Sequence, residues 1–262
     1  MTTPSRLLAT ALATDPSRPL LTYYDDATGE RTELSVATFA NWVAKTANLL
    51  RDDLDLQPGD RVEVDLPLHW QAAVWLQACW ALRLVVVLPS GTATQPVDLA
   101  VVTHDRAESH ATEVVSLGLG PMGLARPGSF PTYDGALDYD REVHGHGDLF
   151  TPSVEPRGDE PALVAPGATL TGAELADAAV AADPLPRHPA GGRVLVTTAL
   201  TTPAAVVGGL LVPLATGVTG VLCRHLDPAR LPGRVVQENL VVVLDDAAAS
   251  SGTVPAWGSL QR

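Results

Sequence analysis

Apolar and polar positions along the chain fall into blocks whose period switches between that of a strand and that of a helix. Leu7, Leu8, Ala11 and Leu12 share helical spacing and predict a short helix over residues 4–14. Leu20 to Tyr24 and Arg31 to Leu34 read as strands around Asp25-Asp26-Ala27-Thr28-Gly29-Glu30, which predicts a hairpin turn. Ser35 stands before Phe39, Val43, Ala47 and Leu50, a helical stripe that its hydroxyl can cap. After Pro58-Gly59-Asp60, Val62, Val64 and Leu66 alternate like a strand. Trp70 to Leu82 then predicts an apolar helix, followed by buried strands at Leu84 to Leu88 and Leu99 to Thr103.

The same order returns in the second half. Pro161-Ala162-Leu163-Val164 opens a strand, and Thr171 with Glu174 has the spacing of a capping box. Gly192-Arg193-Val194 matches Asp60-Arg61-Val62, Thr198 to Leu214 is an apolar helix, and Val218 to Leu222 matches Leu84 to Leu88. Asn239 to Asp246 matches Asp98 to Asp105. Five matched elements in one order predict a duplicated unit. Near-continuous Val/Leu strands between apolar helices predict parallel strands covered on both faces. The expected fold is therefore α/β, two related αβ lobes with mostly parallel sheets flanked by helices. Residues 1–115 form the first lobe and 159–262 the second. Residues 116–158, with Pro127-Gly128, Pro131 and no periodicity, form an irregular connection.

Composition narrows the function classes. With 46% apolar and 18% charged residues the chain is globular, and a net charge of -13 argues against nucleic acid or an anionic membrane surface as partner. Lys45 is the single lysine, beside sixteen arginines, a bias that suggests a GC-rich genome such as an actinobacterial one. Residues 1–18 lack the pattern of a signal peptide, and Arg83, Pro89 and Pro213 interrupt the apolar runs, so a cytoplasmic protein is expected. Cys79 and Cys223 lie in apolar runs and read as buried small hydrophobes rather than a disulfide.

One run carries a resemblance. Leu34-Ser35-x-x-Thr38-Phe39, Ala47-Asn48-Leu49-Leu50, Leu56-Gln57-Pro58-Gly59-Asp60-Arg61-Val62 and Ala78-Cys79-Trp80-Ala81 occur in order between Pro19 and Pro89. This resembles the N-terminal region of the adenylate-forming superfamily: acyl-CoA synthetases, luciferases and peptide-synthetase adenylation domains. The likeness continues weakly to about residue 245 and points to a small actinobacterial family of adenylation-domain-like proteins. The resemblance implies a large domain of two related αβ lobes. It also implies a phosphate loop rich in Thr, Ser and Gly, ending in Pro-Lys-Gly, just after the strand at Ala162-Leu163-Val164. Here that position reads Ala165-Pro166-Gly167-Ala168-Thr169-Leu170-Thr171, shortened and without lysine. A phosphate cradle needs several free backbone N–H groups and a cation, and Pro166 removes one such group. The sequence also stops before the positions of the family's Tyr-Gly-x-Thr-Glu motif, ribose-binding aspartate and C-terminal lysine. The expectation is a non-catalytic relative, a pseudoenzyme in an interaction or structural role, with no cofactor.

Two alternatives follow. One is a binding module for a nucleotide, CoA or acyl ligand in a cleft between lobes, with His104, Asp105, Thr198 and Asp245 as ligand-binding residues near strand C-termini. The other, ranked last, is a small hydrolase using Ser250 or a His-Asp pair. His144-Gly145-His146-Gly147-Asp148 lacks a third ligand at a defined distance and reads as a solvated linker, so no metal centre is expected. Thr197-Thr198 and Thr201-Thr202 offer hydroxyls near a helix start that could hold an anion, and helix capping explains them equally; Asp25-Asp26 reads as a turn, and Trp70, Trp75 and Trp80 as packing residues. The C-terminal stretch from Ser250, with Trp257, shows no period. A homodimer or a protein partner is expected to cover apolar surface left by the shortened fold.

Overall fold

The computed structural model describes residues 1–89, 96–106, 111–125, 128–182, 191–250 and 252–260. Pro127, named above, lies outside them. The first set of elements is α1 (Pro4–Thr14), β1 (Pro19–Asp25), β2 (Glu30–Ser35), α2 (Val36–Asp52), β3 (Arg61–Val64), α3 (Trp70–Ala81), β4 (Val85–Val87) and β5 (Leu99–Thr103). β6 (Glu113–Leu117), β7 (Leu137–Asp138) and α4 (Tyr139–Glu142) follow. The second set is β8 (Pro161–Ala165), β9 (Ala168–Thr171), α5 (Gly172–Ala181), β10 (Arg193–Val196), α6 (Pro203–Val206), α7 (Val212–Thr216), β11 (Thr219–Arg224), α8 (Leu231–Gln237), β12 (Leu240–Leu244) and β13 (Gly258–Ser259). A π-helical segment, Val207–Leu211, joins α6 to α7. The wider turn precedes Pro213, which lacks an N–H and would clash with the carbonyl four residues back in a regular helix.

The predicted repeat is present, with a rearrangement that the sequence order hides. One sheet runs β12-β10-β11-β1-β2 with β13 on its edge, and the other runs β5-β3-β4-β8-β9 with β6 and β7 beyond β5. Matching β3 to β10, β4 to β11 and β5 to β12 gives both sheets one order, each closed by the hairpin from the other half of the chain. The chain accordingly divides into a first unit (Met1, Ala40–Pro67, Gln71–Gly172) and a second unit (Thr2–Phe39, Leu68–Trp70, Ala173–Arg262). This corrects the expected boundaries at 115 and 159. Local periodicity names the strands, but the pairing of β1 with β11 and of β4 with β8 joins residues far apart in sequence. The 116–158 stretch is likewise no plain connection, because β6, β7 and α4 extend the first unit's sheet.

Each hairpin is fastened at an equivalent turn. In the second unit the Arg18 guanidinium donates to the carbonyls of Gly217 (2.9 Å), Val218 (3.2 Å) and Pro213 (3.3 Å) at the end of α7. In the first unit Glu160, which precedes β8 as Arg18 precedes β1, is paired to Arg83 after α3. Arg83 (φ 63°) and Gly217 (φ 83°) both take the left-handed conformation that ends the helix. Trp80 adds an indole N–H donated to the Ala162 carbonyl at 2.8 Å. Trp70, Trp75 and Trp80 are all buried, as packing residues, and Cys79 and Cys223 are buried free thiols.

Ser35 caps α2, accepting the Thr38 N–H at 3.1 Å. The turn at Asp25-Asp26 is present, and both of its carboxylates are buried. Asp26 accepts two hydrogen bonds from Arg234, at 2.6 and 3.0 Å, and one from the Asp227 N–H at 2.8 Å. Arg234 also lies 4.3 Å from the Tyr24 ring centroid. Glu238, with its side chain 4% exposed, is paired with Arg193 at 2.6 Å and bonded by the Tyr24 hydroxyl. In the tail from Ser250, the two-residue β13 pairs with β12 and Trp257 donates to the Ala182 carbonyl at 2.7 Å. Among the described residues, no helix is long and apolar enough to cross a membrane.

Candidate functional site

The site grows from the alternation of side chains on three parallel strands of the first unit. Register pairs Val102 with Ser116 and Ser116 with Asp138 across β5, β6 and β7. Residues two apart share a face, so His104, Gly118 and Asp140 form the next row where the strands run out. Below them, Ala100, Val102 and Val114 make a small apolar cluster on the same sheet. Tyr139, between the two aspartates, points into the core: its hydroxyl meets Thr46 Oγ1 at 2.7 Å and its ring lies 5.1 Å from that of Trp75. That anchor leaves Asp138 and Asp140 both facing His104.

Gly118 is required in the middle of the row. A Cβ there would come within 2.8 Å of Asp140 Oδ2 and 3.1 Å of His104 Nδ1. The space it leaves lets Asp140 Oδ2 accept the Gly118 N–H at 2.7 Å while the imidazole approaches from the other side. His104 Nδ1 lies 2.8 Å from Ser129 Oγ, and the His104 carbonyl accepts from the Thr132 N–H (2.9 Å) and hydroxyl (2.7 Å). The segment around residues 129–132 thus roofs the strand end. Among the described residues His104 Nε2 makes no hydrogen bond; Asp138 Oδ1 and Asp140 Oδ2 stand 3.4 and 3.9 Å from it. The Asp140 side chain is 0% exposed, and burial holds its carboxyl above the usual carboxylate range.

The four expected ligand residues do not act alike. His104 is buried in the site, whereas Asp105 is exposed and accepts from Thr103 Oγ1 at 2.5 Å. Thr198 and Asp245 belong to the second unit, where the Thr197 N–H donates to the Leu244 carbonyl at 2.9 Å. Thr198 is buried with its hydroxyl 3.5 Å from the Ala199 carbonyl, and Asp245 Oδ1 caps a turn by accepting the Ala248 N–H at 2.9 Å. Thr202 caps α6, accepting the Ala205 N–H at 3.1 Å. Ser250 Oγ donates to the Ala247 carbonyl. His144 and His146 turn to separate partners, the Gly123 carbonyl and Asp53, so they form no chelate with each other. Nor is their segment a solvated linker: Lys45 binds the His146 carbonyl (2.6 Å) and Asp148 (2.7 Å), and Asn48 binds the carbonyls of Gly147 and Leu149. Asp138, Asp140, Ser129 and Gly118 were missed because they fall in a stretch without periodicity. The Asp-Tyr-Asp spacing was the signal that could have found them.

At the position where a phosphate loop is expected, β8 and β9 are joined by Pro166 and Gly167 alone, with Ala165 paired to Ala168. Gly167 has φ +76°, and with proline before it the pair forms a type II turn. A protein of Mycobacterium tuberculosis described as a TIGR03089 family protein is 40% identical over 261 residues, covering 93% of this chain and all of that protein. The chain belongs to the TIGR03089 family. An acyl-CoA synthetase from Brucella canis matches with a TM-score of 0.74 at 16% identity, over 93% of this chain and 47% of its own length. The N-terminal domain of FACL13 from Mycobacterium tuberculosis matches at 0.68 and 14% identity, over 93% and 62%. An ATP-bound RpMatB-BxBclM chimera matches at 0.69 and 18% identity, over 92% and 49%. This TIGR03089 member thus has the fold of the N-terminal domain of acyl-CoA synthetases and spans 47% to 62% of the length of these structures. No protein-family model matches the chain.

Proposed function

We propose that this TIGR03089 family protein is a non-catalytic relative of the adenylate-forming enzymes that acts through binding or assembly. The observation that carries the reading is the two-residue turn at Pro166-Gly167. Holding a triphosphate and stabilising the charge that develops during displacement require several converging N–H donors and a cation. A type II turn closed by the Ala165–Ala168 pair has no run of free N–H groups to offer. The single lysine is committed to Asp148 and the His146 carbonyl. The test is carboxylate-dependent exchange of pyrophosphate into ATP by the purified chain. Exchange at background over a panel of fatty, aryl and amino acids is expected, and exchange above background for any of them would overturn the proposal. The expected homodimer is tested separately by light scattering, where a monomer at high concentration would rule it out.

A hydrolase is the second reading, favoured by the 2.8 Å contact of Ser129 Oγ with His104 Nδ1 and by the carboxylates beyond the ring. It is the weaker one, because the 3.4 Å gap from Nε2 to Asp138 exceeds the roughly 2.7–2.9 Å of a charge-assisted hydrogen bond. Hydrolysis of short activated esters that disappears in Ser129→Ala would support it; equal background rates in both proteins would end it.

A further inference from the structure

We infer that His104, Asp138 and Asp140 form a binding site for one divalent transition-metal ion of the Zn2+ class, clamping the ends of β5 and β7 and the start of α4. The three residues each offer one ligand atom, all within 4.8 Å of one another. Around Zn2+, nitrogen and oxygen ligands lie about 2.0–2.2 Å from the ion, which puts neighbouring tetrahedral ligands about 3.4 Å apart. The Nε2–Asp138 separation of 3.4 Å is that edge, and the 3.9 Å to Asp140 closes by a small rotation of a carboxylate.

Independent observations point to a cation rather than to an acidic cluster alone. His104 is 4% exposed, and its Nε2 is aimed at the carboxylates without a hydrogen bond. Asp138 Oδ1 and Asp140 Oδ1 are also buried, with no hydrogen-bond partner among the described residues. Among the described residues neither carboxylate pairs with an arginine or lysine, so one buried and one half-buried acid face a single imidazole. Unpaired buried charge is strongly unfavourable and normally finds a counterion or a metal. On the far side of the ring, Nδ1 is held by Ser129, the arrangement by which a metal-binding histidine is fixed in tautomer and orientation. Gly118 keeps the space between the ligands clear. A nitrogen with carboxylate oxygens suits Zn2+ over Mg2+, which prefers six oxygens and retains its waters.

The test uses the full chain without a histidine tag, stripped with a chelator and titrated with Zn2+ against a chromogenic competitor. One Zn2+ per chain is expected, with a visible Co2+ absorption band of low-coordinate character when Co2+ replaces it, and no comparable Mg2+ binding. His104→Gln and Asp140→Asn should each weaken Zn2+ about 100-fold or more, and Ser129→Ala about tenfold through the ring orientation. Asp138, at the sheet edge, gives a variant (Asp138→Asn) that keeps the test usable if Asp140→Asn does not fold. Absence of stoichiometric Zn2+ binding, or binding unchanged in His104→Gln and Asp138→Asn, would overturn the inference. Retained binding in those variants would mean a surface ion and no built site.

Discussion

Removing Arg234 should expose how much the second unit depends on its buried charges. The guanidinium is 7% exposed and the Asp26 carboxylate 3%, joined by hydrogen bonds of 2.6 and 3.0 Å. In Arg234→Met the packing of the side-chain stem is kept, but Asp26 is left with the Asp227 N–H, the weak Cys223 thiol donor at 3.7 Å and Arg230 at 3.7 Å. Breaking a buried pair from one side costs about 3–5 kcal/mol, and the remaining Arg230 places this case near about 3 kcal/mol. With a urea slope of about 2–3 kcal/mol/M, the midpoint should fall by about 1 M. Asp26→Asn with Arg234→Met removes both charges and should recover about 2 kcal/mol of that loss, a coupling that only paired groups show. The pH dependence has a definite sign. Arg234 holds the Asp26 carboxyl below its ordinary value, so the pair stabilises above the unfolded carboxylate pKa of about 4 and loses this as pH falls through the lower folded value. The penalty of Arg234→Met should therefore be full at pH 7 and shrink toward pH 2. A loss under about 1 kcal/mol at pH 7, or one undiminished in the double variant, would refute the reasoning.

Other consequences follow from single contacts. Trp80→Phe loses the hydrogen bond to Ala162 and part of a buried ring, and should cost about 2 kcal/mol by denaturation while raising amide exchange in β8. Gly123→Ala places a Cβ in collision with Trp42 Cη2 at φ +69° and should cost about 2 kcal/mol or more in melting experiments. Burial pushes the thiols of Cys79 and Cys223 up, that of Cys223 to about 12. Iodoacetamide at pH 8 should therefore label neither until the chain unfolds, as read by intact mass.

Much of the fold was legible, because each strand and helix carries its own period. Ser35 before Phe39, Val43 and Ala47 gives α2, and the Val-rich runs give β4, β5, β11 and β12. The exchange of hairpins was not legible, since β1 and β8 both open on a proline and an apolar run and periodicity does not say which sheet edge a strand takes. The buried Asp26–Arg234 pair was hidden for a related reason: 208 residues separate its members, and locally each looks like an exposed charge. In the candidate site, His104 stood out as a polar residue at a strand end. Asp138 and Asp140 did not, because a two-residue strand leading into a short helix is too brief to show a pattern. The two-residue turn between β8 and β9 was readable from Pro166-Gly167 directly, since a proline and a glycine between two strands leave little room for anything but a turn.

The central claim is that this turn leaves the chain unable to hold a triphosphate, and direct titration with Mg2+-ATP tests it without presuming any acyl substrate. Calorimetry and thermal shift, run together into the millimolar range, should give no saturable heat and no rise in melting temperature. A saturable one-site isotherm with a matching rise in melting temperature would contradict the account.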